Sequence, residues 1–215
     1  MAASSPESRC RRIPPSGARV LAAVLGLFVV APAYAQQQAI TLDAASSDFD
    51  RRNERLVFTE VRIQQGDLVI SAAEAESRDL DFSRGSWLFR GDVRITSPMG
   101  DITSDRATIT FLEHRLSKAT TEGAPAQFSR TMPDDGRLVT GTANRIDYDL
   151  SKGELVLAGQ AALRDGVREV SGGQLVYRIA EDRLIASTDA EGAERVRIVI
   201  TPPEEERGEP REDGP

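Results

Sequence analysis

The sequence predicts an all-β fold. Three observations carry that expectation. From Ala39 to Thr201, apolar residues recur at every second position, not every third and fourth. Turn-forming clusters punctuate the same stretch at short intervals. A phrase of aromatic residue, tight turn and alternating apolar residues returns about every thirty positions, as in FDRRNERLVFTEVRI, LDFSRGSWLFRGDVRI and YDLSKGELVLAGQAAL.

The chain has 215 residues, enough for one sizeable domain. Its front differs from its body. Arg9, Arg11, Arg12 and Arg19 precede VLAAVLGLFVV, and Ala33-Tyr34-Ala35 follows. A basic start, a short apolar core and an A-x-A site predict a secretory signal peptide over 1–35, cleaved after Ala35. An uncleaved membrane anchor is the alternative. Residues 1–35 carry four arginines and one glutamate, so the chain's 27 basic and 34 acidic residues become 23 and 33, a net charge of −10. Nucleic acid and purely electrostatic binding to anionic membranes are thereby disfavoured. The only cysteine, Cys10, leaves with the leader, so the mature chain has no disulfide.

Strands are expected around Val61/Ile63, Leu68/Ile70, Trp87/Phe89, Val93/Ile95, Leu155/Leu157 and Val196/Ile198/Ile200. Turns are expected at Arg52-Asn53, Gly66-Asp67, Ser83-Gly85, Pro98-Gly100, Asp134-Gly136, Ser151-Gly153 and Asp165-Gly166. The segment ISAAEAESRD (70–79) has helix-favouring composition. It is read as strand because its neighbours alternate. EEERGEPREDGP closes the chain, and 203–215 is expected to be a disordered acidic tail after a domain spanning 36–202.

The repeat has internal rules. Phe49, Leu80, Ile109, Tyr148 and Tyr177 serve as anchors, spaced 31, 29, 39 and 29 residues apart. Seven residues after each sits a large apolar residue: Leu56, Trp87, Leu116, Leu155 and Leu184. Five before each sits a small one: Ala44, Ala75, Ser104, Ala143 and Gly172. The long interval holds TEGAPAQFSRTMPDDGRLVTG, read as an inserted loop-rich excursion. Gly91 and Gly159 recur in FRGDVRI and LAGQAAL, on the apolar strand face where a missing side chain permits close backbone approach. FTEVRI is one residue shorter, which puts Phe58 and Val61 on opposite faces of a regular strand; a β-bulge near Thr59-Glu60 is expected to restore the register.

Aspartates flank three anchors, as Asp48/Asp50, Asp79/Asp81 and Asp147/Asp149. Calcium ligation is one reading. The other, preferred because no calcium-loop spacing is present, is that each anchor points inward and its neighbours point to water. Catalysis finds little support. His114 is the single histidine and sits in a turn, and no nucleophile elbow, phosphate loop or dinucleotide fingerprint occurs. A cryptic hydrolase with paired carboxylates is the weakest alternative.

Residues 126–187, followed by RVRIVITP, closely resemble the OstA-like family of lipopolysaccharide-transport periplasmic proteins. AITLDAASSDFD and GDLVISA are similar to that family's opening strand and turn. The resemblance covers roughly 39–203 and lies in the whole ordered pattern. Two departures stand out: the first repeat lacks the phrase's glycine, and the segment near 75–106 reads as one extra repeat unit.

The resemblance implies an open, twisted β-jellyroll of two facing antiparallel sheets. It implies a carrier that shields lipid A acyl chains in an apolar groove, with no enzyme activity and no cofactor. It also implies head-to-tail self-association, and edge-strand contacts with the inner-membrane component LptC and the outer-membrane component LptD. The expected groove residues are Phe49, Leu56, Phe58, Leu80, Trp87, Phe89, Val93, Ile95, Ile109, Tyr148, Leu155, Leu157, Tyr177 and Leu184. The expected partner edges are Ile40 and Leu42 at the front, and Val196, Ile198 and Ile200 at the back. Pairing of both edges within the monomer is the competing reading. A lipid-free scaffold is the alternative from another functional class.

Overall fold

Twelve β-strands and one 3-10 turn make up the described part of the chain. The structure is a computed structural model, and it describes residues 38–78, 80, 82–188 and 194–201. The leader 1–35, the tail 203–215, Asp79 and Asp81 lie outside the described residues. The strands are β1 (Thr41–Asp43), β2 (Ser46–Asp50), β3 (Arg55–Gln65), β4 (Leu68–Ser77), β5 (Arg84–Ser97), β6 (Gly100–Leu112), β7 (Arg115–Thr131), β8 (Leu138–Asp149), β9 (Glu154–Asp165), β10 (Arg168–Arg178), β11 (Arg183–Ser187) and β12 (Arg197–Ile200). The 3-10 turn covers Ile179–Glu181. The segment 70–79, with its helix-like composition, is strand up to Ser77, because alternate residues are buried there.

All pairings are antiparallel, and consecutive long strands are joined as hairpins into one continuous ladder. The predicted two sheets are the two halves of this one ladder. β1 and β2 pair different ends of β3, and β12 and β11 pair different ends of β10. A seam crosses β3 to β10 between those ends. Inner residues on either side of it belong to two facing halves. The Phe128 and Tyr177 rings, from opposite halves, lie 6.3 Å apart. A Cβ at Gly141 would stand 2.8 Å from Leu157 Cδ2, again across the fold.

The seam is built from breaks in alternation. Phe58 and Val61 are three residues apart, yet both are buried. Glu60 between them takes a left-handed φ of 49°. The expected irregularity is therefore there, but without a register shift, since Ala73 is passed over opposite Glu60. On β5 and β9 the break is two residues long. Gly91-Asp92 and Gly159-Gln160 are all left-handed, with φ of 75°, 48°, 73° and 51°, and the register shifts there. The two glycines thus serve backbone conformation first, which differs from the strand-face role expected of them.

The stretch 121–141 is likewise not a loop-rich insertion. Most of it is strand, because β7 runs 17 residues and absorbs Gly123-Ala124-Pro125 as a bulge at the seam. Only Met132–Arg137 forms a loop. The long interval between anchors reflects a longer hairpin.

Small residues line the inner face beside the seam. Ala72, Ser104, Ala126, Ala143 and Ala161 are buried there with Gly172, letting the halves approach closely. Three of the five predicted small positions fall in this row. Ala75 lies one row further into the first half, opposite Phe58 and Phe89.

Replacing Gly91 by Ala places a side chain at φ 75°, 3.0 Å from the Ala73 Cβ. A loss of about 1–2 kcal/mol is expected in urea unfolding; an unchanged midpoint would remove the conformational role assigned to this glycine.

Candidate functional site

The inner faces of the two halves form the candidate site, and cross-strand pairing sorts their residues into rows. In the first half, Trp87, Ile109, Ala119, Tyr148, Leu155, Tyr177 and Leu184 are successive neighbours from β5 to β11. This explains the seven-residue rule at three of its five occurrences; at the third anchor Ile109 pairs with Ala119 and Leu116 with Phe111. Phe49/Leu56, Tyr148/Leu155 and Tyr177/Leu184 are direct partners across hairpins. A second row, nearer the seam, runs Phe58, Ala75, Phe89, Ala107, Thr121, Ile146, Leu157 and Leu175.

The facing half carries a row of which sequence reading named only Ile95 for the groove and Leu42 and Ile198 for the partner edges. Leu42, Ile63, Ile70, Ile95, Ile102, Phe128, Gly141, Leu163, Val170 and Ile198 are successive neighbours from β1 to β12. Ten strands at ordinary spacing make this rail roughly 43 Å long. Its signal in the sequence was the alternation itself, which marks a buried face but does not say which residues oppose which.

Most expected groove residues sit inside. Leu56, Phe58, Trp87, Phe89, Val93, Ile95, Ile109, Tyr148, Leu155, Leu157 and Tyr177 are buried. Leu184 is half-buried against the core. Phe49 and Leu80 are corrections, being 52% and 48% exposed. Phe49 lies on an end strand that pairs only β3 among the described residues, and its ring meets Phe58 edge-on. Leu80 lies in the connection between β4 and β5. Phe82 takes the inward place instead, stacking on Trp87 at 4.9 Å and meeting Phe111 edge-on at 5.0 Å.

The middle of the interior is filled by these side chains. Open space lies at the β11–β12 end, in a cavity of about 310 Å³. Val139, Leu163, Val170, Leu184, Ala186 and Ile198 give it an apolar lining, and Asp165, Arg168, Tyr177 and Asp182 bring polar atoms to it. Roughly ten waters would fill it.

Opposite the seam, the hairpin turns of the two halves form lips. They are held together by polar contacts. Gln65 Nε2 donates to the His114 carbonyl at 2.6 Å, and Arg130 Nη1 donates to the Ile179 carbonyl at 3.3 Å. Beside the cavity, Arg137 bonds Asp165 and Asp135 on its own side and Asp182 across the gap at 2.9 Å. Tyr177 OH donates to the other Asp182 oxygen at 2.8 Å. These bonds from Tyr177 and Arg137 hold the Asp182 carboxyl below its usual range. Burial, then the bond to Asp182, pushes Tyr177 up to about 12.

Among the described residues, two buried side-chain polar atoms have no hydrogen-bond partner: Trp87 Nε1 and the Tyr148 hydroxyl. Ser97 stands close enough to Tyr148 to favour its ionised form, yet burial dominates and raises its pKa. The Ser97 hydroxyl already donates to the Gly100 carbonyl and accepts from the Met99 N–H. Each unmet buried group costs about 1–3 kcal/mol.

The flanking aspartates have a local task that sequence reading missed. Asp50 accepts from the Arg52 and Asn53 N–H groups and from the Asn53 side chain, and Asp149 accepts from Ser151 and Lys152. Both cap turns. Among the described residues, no cluster of His, Cys, Asp and Glu could hold a metal ion.

At the two ends, the expected edge strands are each paired on one side only, so neither open nor fully satisfied. β1 and β2 pair only β3, and β11 and β12 pair only β10, among the described residues. Ile40 and Leu42 are half-buried, while Val196, Ile198 and Ile200 are exposed.

Phe89→Ala is expected to lower the unfolding free energy by about 3–5 kcal/mol, and Phe49→Ala by at most about 1 kcal/mol. Equal losses would restore Phe49 to the core. The Arg137 contacts should respond to acid. Asp182 and Asp135 have folded pKa values below the unfolded carboxylate value of about 3.9. Their stabilisation is thus complete above that value and disappears as pH falls through the folded ones. The difference in urea midpoint between the parent protein and Arg137→Ala should vanish on acidification; a constant difference would show that packing, not charge, holds the lips there.

The chain matches the family model described as LptA/(LptD N-terminal domain) LPS transport protein over residues 72–183, a little over half its length. It is 29% identical over 131 residues to the lipopolysaccharide export system protein LptA of Escherichia coli strain K12, covering 60% of this chain and 69% of that one. The LptA of Haemophilus influenzae is 28% identical over 131 residues, covering 60% and 74%. Among solved structures, LptH of Pseudomonas aeruginosa superposes with a TM-score of 0.50 at 20% identity, over 77% of this chain and 96% of that one. That structure is described as the LptA-homologous periplasmic component of a lipopolysaccharide transport device, and its likeness bears on the fold. By its sequence match and its bent antiparallel ladder, the chain belongs to the LptA/(LptD N-terminal domain) family of LPS transport proteins.

Proposed function

We propose that this protein is a periplasmic carrier of lipopolysaccharide that shelters lipid A acyl chains between its facing halves. In this reading the mature chain begins after the 1–35 leader, and residues 36–202 act as one carrier body. It hands lipid from an inner-membrane component, LptC, toward an outer-membrane component, LptD. The observation that carries the proposal is the pair of facing apolar rows that run from one end of the ladder to the other. The central rows belong to core and slot at once, so lipid enters by parting the lips.

The magnitudes permit this. Each methylene withdrawn from water is worth about 0.8 kcal/mol, so a chain of a dozen gains roughly 10 kcal/mol. Against it stand a few lip hydrogen bonds at about 0.5–1.5 kcal/mol each and exposed ion pairs at about 0–1 kcal/mol. The chains outweigh the lip contacts. The net negative charge repels lipid A phosphates, so affinity rests on the chains and release stays easy. The partner edges are Ile40 and Leu42 on one side, and Val196, Ile198 and Ile200 on the other. Each would extend its ladder by strand addition to a partner or to a second copy. No chemical step is involved.

Photo-crosslinking amino acids at Phe89 and Leu157 should label lipopolysaccharide, and one at Thr108 on the outer face should not. Labelling that ignores the face would sink the slot. In the same cells, Ile200→Asp should abolish crosslinks between copies at β12 and leave lipid labelling at Phe89 in place.

A further inference from the structure

The lip-side row of the first half holds two hydrogen-bond donors with nothing to bond, and they are the two buried polar atoms described above. Trp87 is fully buried and Tyr148 is 4% exposed. Through Ile109 and Ala119 they belong to the same inner row. Three strand spacings separate them, roughly 14 Å. The deeper row, from Phe58 to Leu175, is apolar apart from Thr121, whose hydroxyl is bonded to the Ile146 carbonyl.

The facing lip changes character at the same depth. Along β3, β5, β7 and β9 the inner face runs Val61-Ile63, Val93-Ile95, Ala126-Phe128 and Ala161-Leu163, and then ends in Gln65, Ser97, Arg130 and Asp165. All four are half-buried. The facing half is therefore layered, apolar toward the seam and polar at its lip, whereas in the first half Phe111, Leu116 and Ile179 keep the outermost row apolar. An indole N–H is a donor only. Neither hydrocarbon nor the neighbouring rings of Phe58, Phe82 and Phe89 offer it an oxygen.

We infer that Trp87 and Tyr148 are specificity residues that donate hydrogen bonds to the ester and amide carbonyl oxygens joining acyl chains to the head of the bound amphiphile. The inference rests on the carrier reading, because only chains lying toward the seam bring their linkages to this depth. It assigns a cause to the two orphaned donors: they are satisfied when lips and lipid exchange. It also gives the slot a preference that apolar burial alone lacks, for acylated over alkylated amphiphiles of equal chain length. The Ser97 hydroxyl is engaged with the Gly100 carbonyl and the Met99 N–H and stands near the Tyr148 hydroxyl without bonding it.

The test uses the mature full chain with two probes matched in headgroup and chain length, diacyl phosphatidylglycerol and its dialkyl ether analogue. Trp87 is the only tryptophan, so its ¹⁵N-labelled indole gives a single reporter signal. The ester lipid should bind about three- to tenfold tighter than the ether, and should move the indole proton downfield where the ether lipid does not. In Tyr148→Phe, and with 3-benzothienylalanine at position 87, affinity for the ester lipid should fall toward that for the ether. Tyr148→Phe should unfold no more easily than the parent, because the hydroxyl it loses has no partner; a clear destabilisation would overturn the inference. Equal binding of both lipids with an unmoved indole signal would overturn it while leaving the carrier reading intact. Failure to bind either lipid would overturn both.

Discussion

Every long strand of this protein has to bend at one line while keeping its apolar side chains on one face. A regular strand cannot do that across an odd spacing, because alternation would turn the next apolar residue outward. The seam solves this by spending one, two or three residues per strand outside regular geometry. Glu60 is left-handed, Gly91-Asp92 and Gly159-Gln160 are left-handed pairs, and Gly123 to Pro125 form the longest break. Since the breaks stand side by side, they add up to a fold line. Two inner faces, a dry interior and a pair of lips all follow from it.

The two sides of the fold line are held by unlike forces. Near the seam, small side chains and continuous backbone ladders fix the halves together, and nothing there parts without breaking strand pairing. At the lips, a handful of hydrogen bonds and partly solvated ion pairs span the gap. Arg137 contributes one of them, to Asp182, yet it remains accessible to water, where ion pairs are weak. Motion that admits a ligand therefore costs least as a spreading of the lips about the seam.

Much of this was legible in the sequence, and the reasons are specific. The seven-residue rule worked because an anchor and its follower are direct partners across a hairpin, as Tyr148 and Leu155 are. It failed at Leu80, where an irregular connection brings Phe82 inward two positions later. It overreached at Phe49, because burial depends on what lies beyond an end strand and no local pattern states that. Of the row from Leu42 to Ile198, only Ile95 was assigned to the groove, for a related reason: alternation identifies a face, while opposition between faces is a property of the bend. The polar belt of Gln65, Ser97 and Arg130 was hidden too, since each residue reads alone as an ordinary surface position. Asp50 and Asp149 were read as outward charges, and the turn hydrogen bonds they accept became visible only with coordinates.

The strand count of each half has a consequence for how copies could be arranged. Among the described residues, the first half runs from β2 to β11 and the second from β1 to β12, and each contains ten strands. Ten is even, so in an alternating ladder the first and last strands point in opposite directions. A duplicate displaced by pure translation along the rail would then present its leading strand antiparallel to the trailing strand before it, in both halves at once. Such a junction preserves the sense of the pairing, whereas an odd count would bring the end strands together parallel.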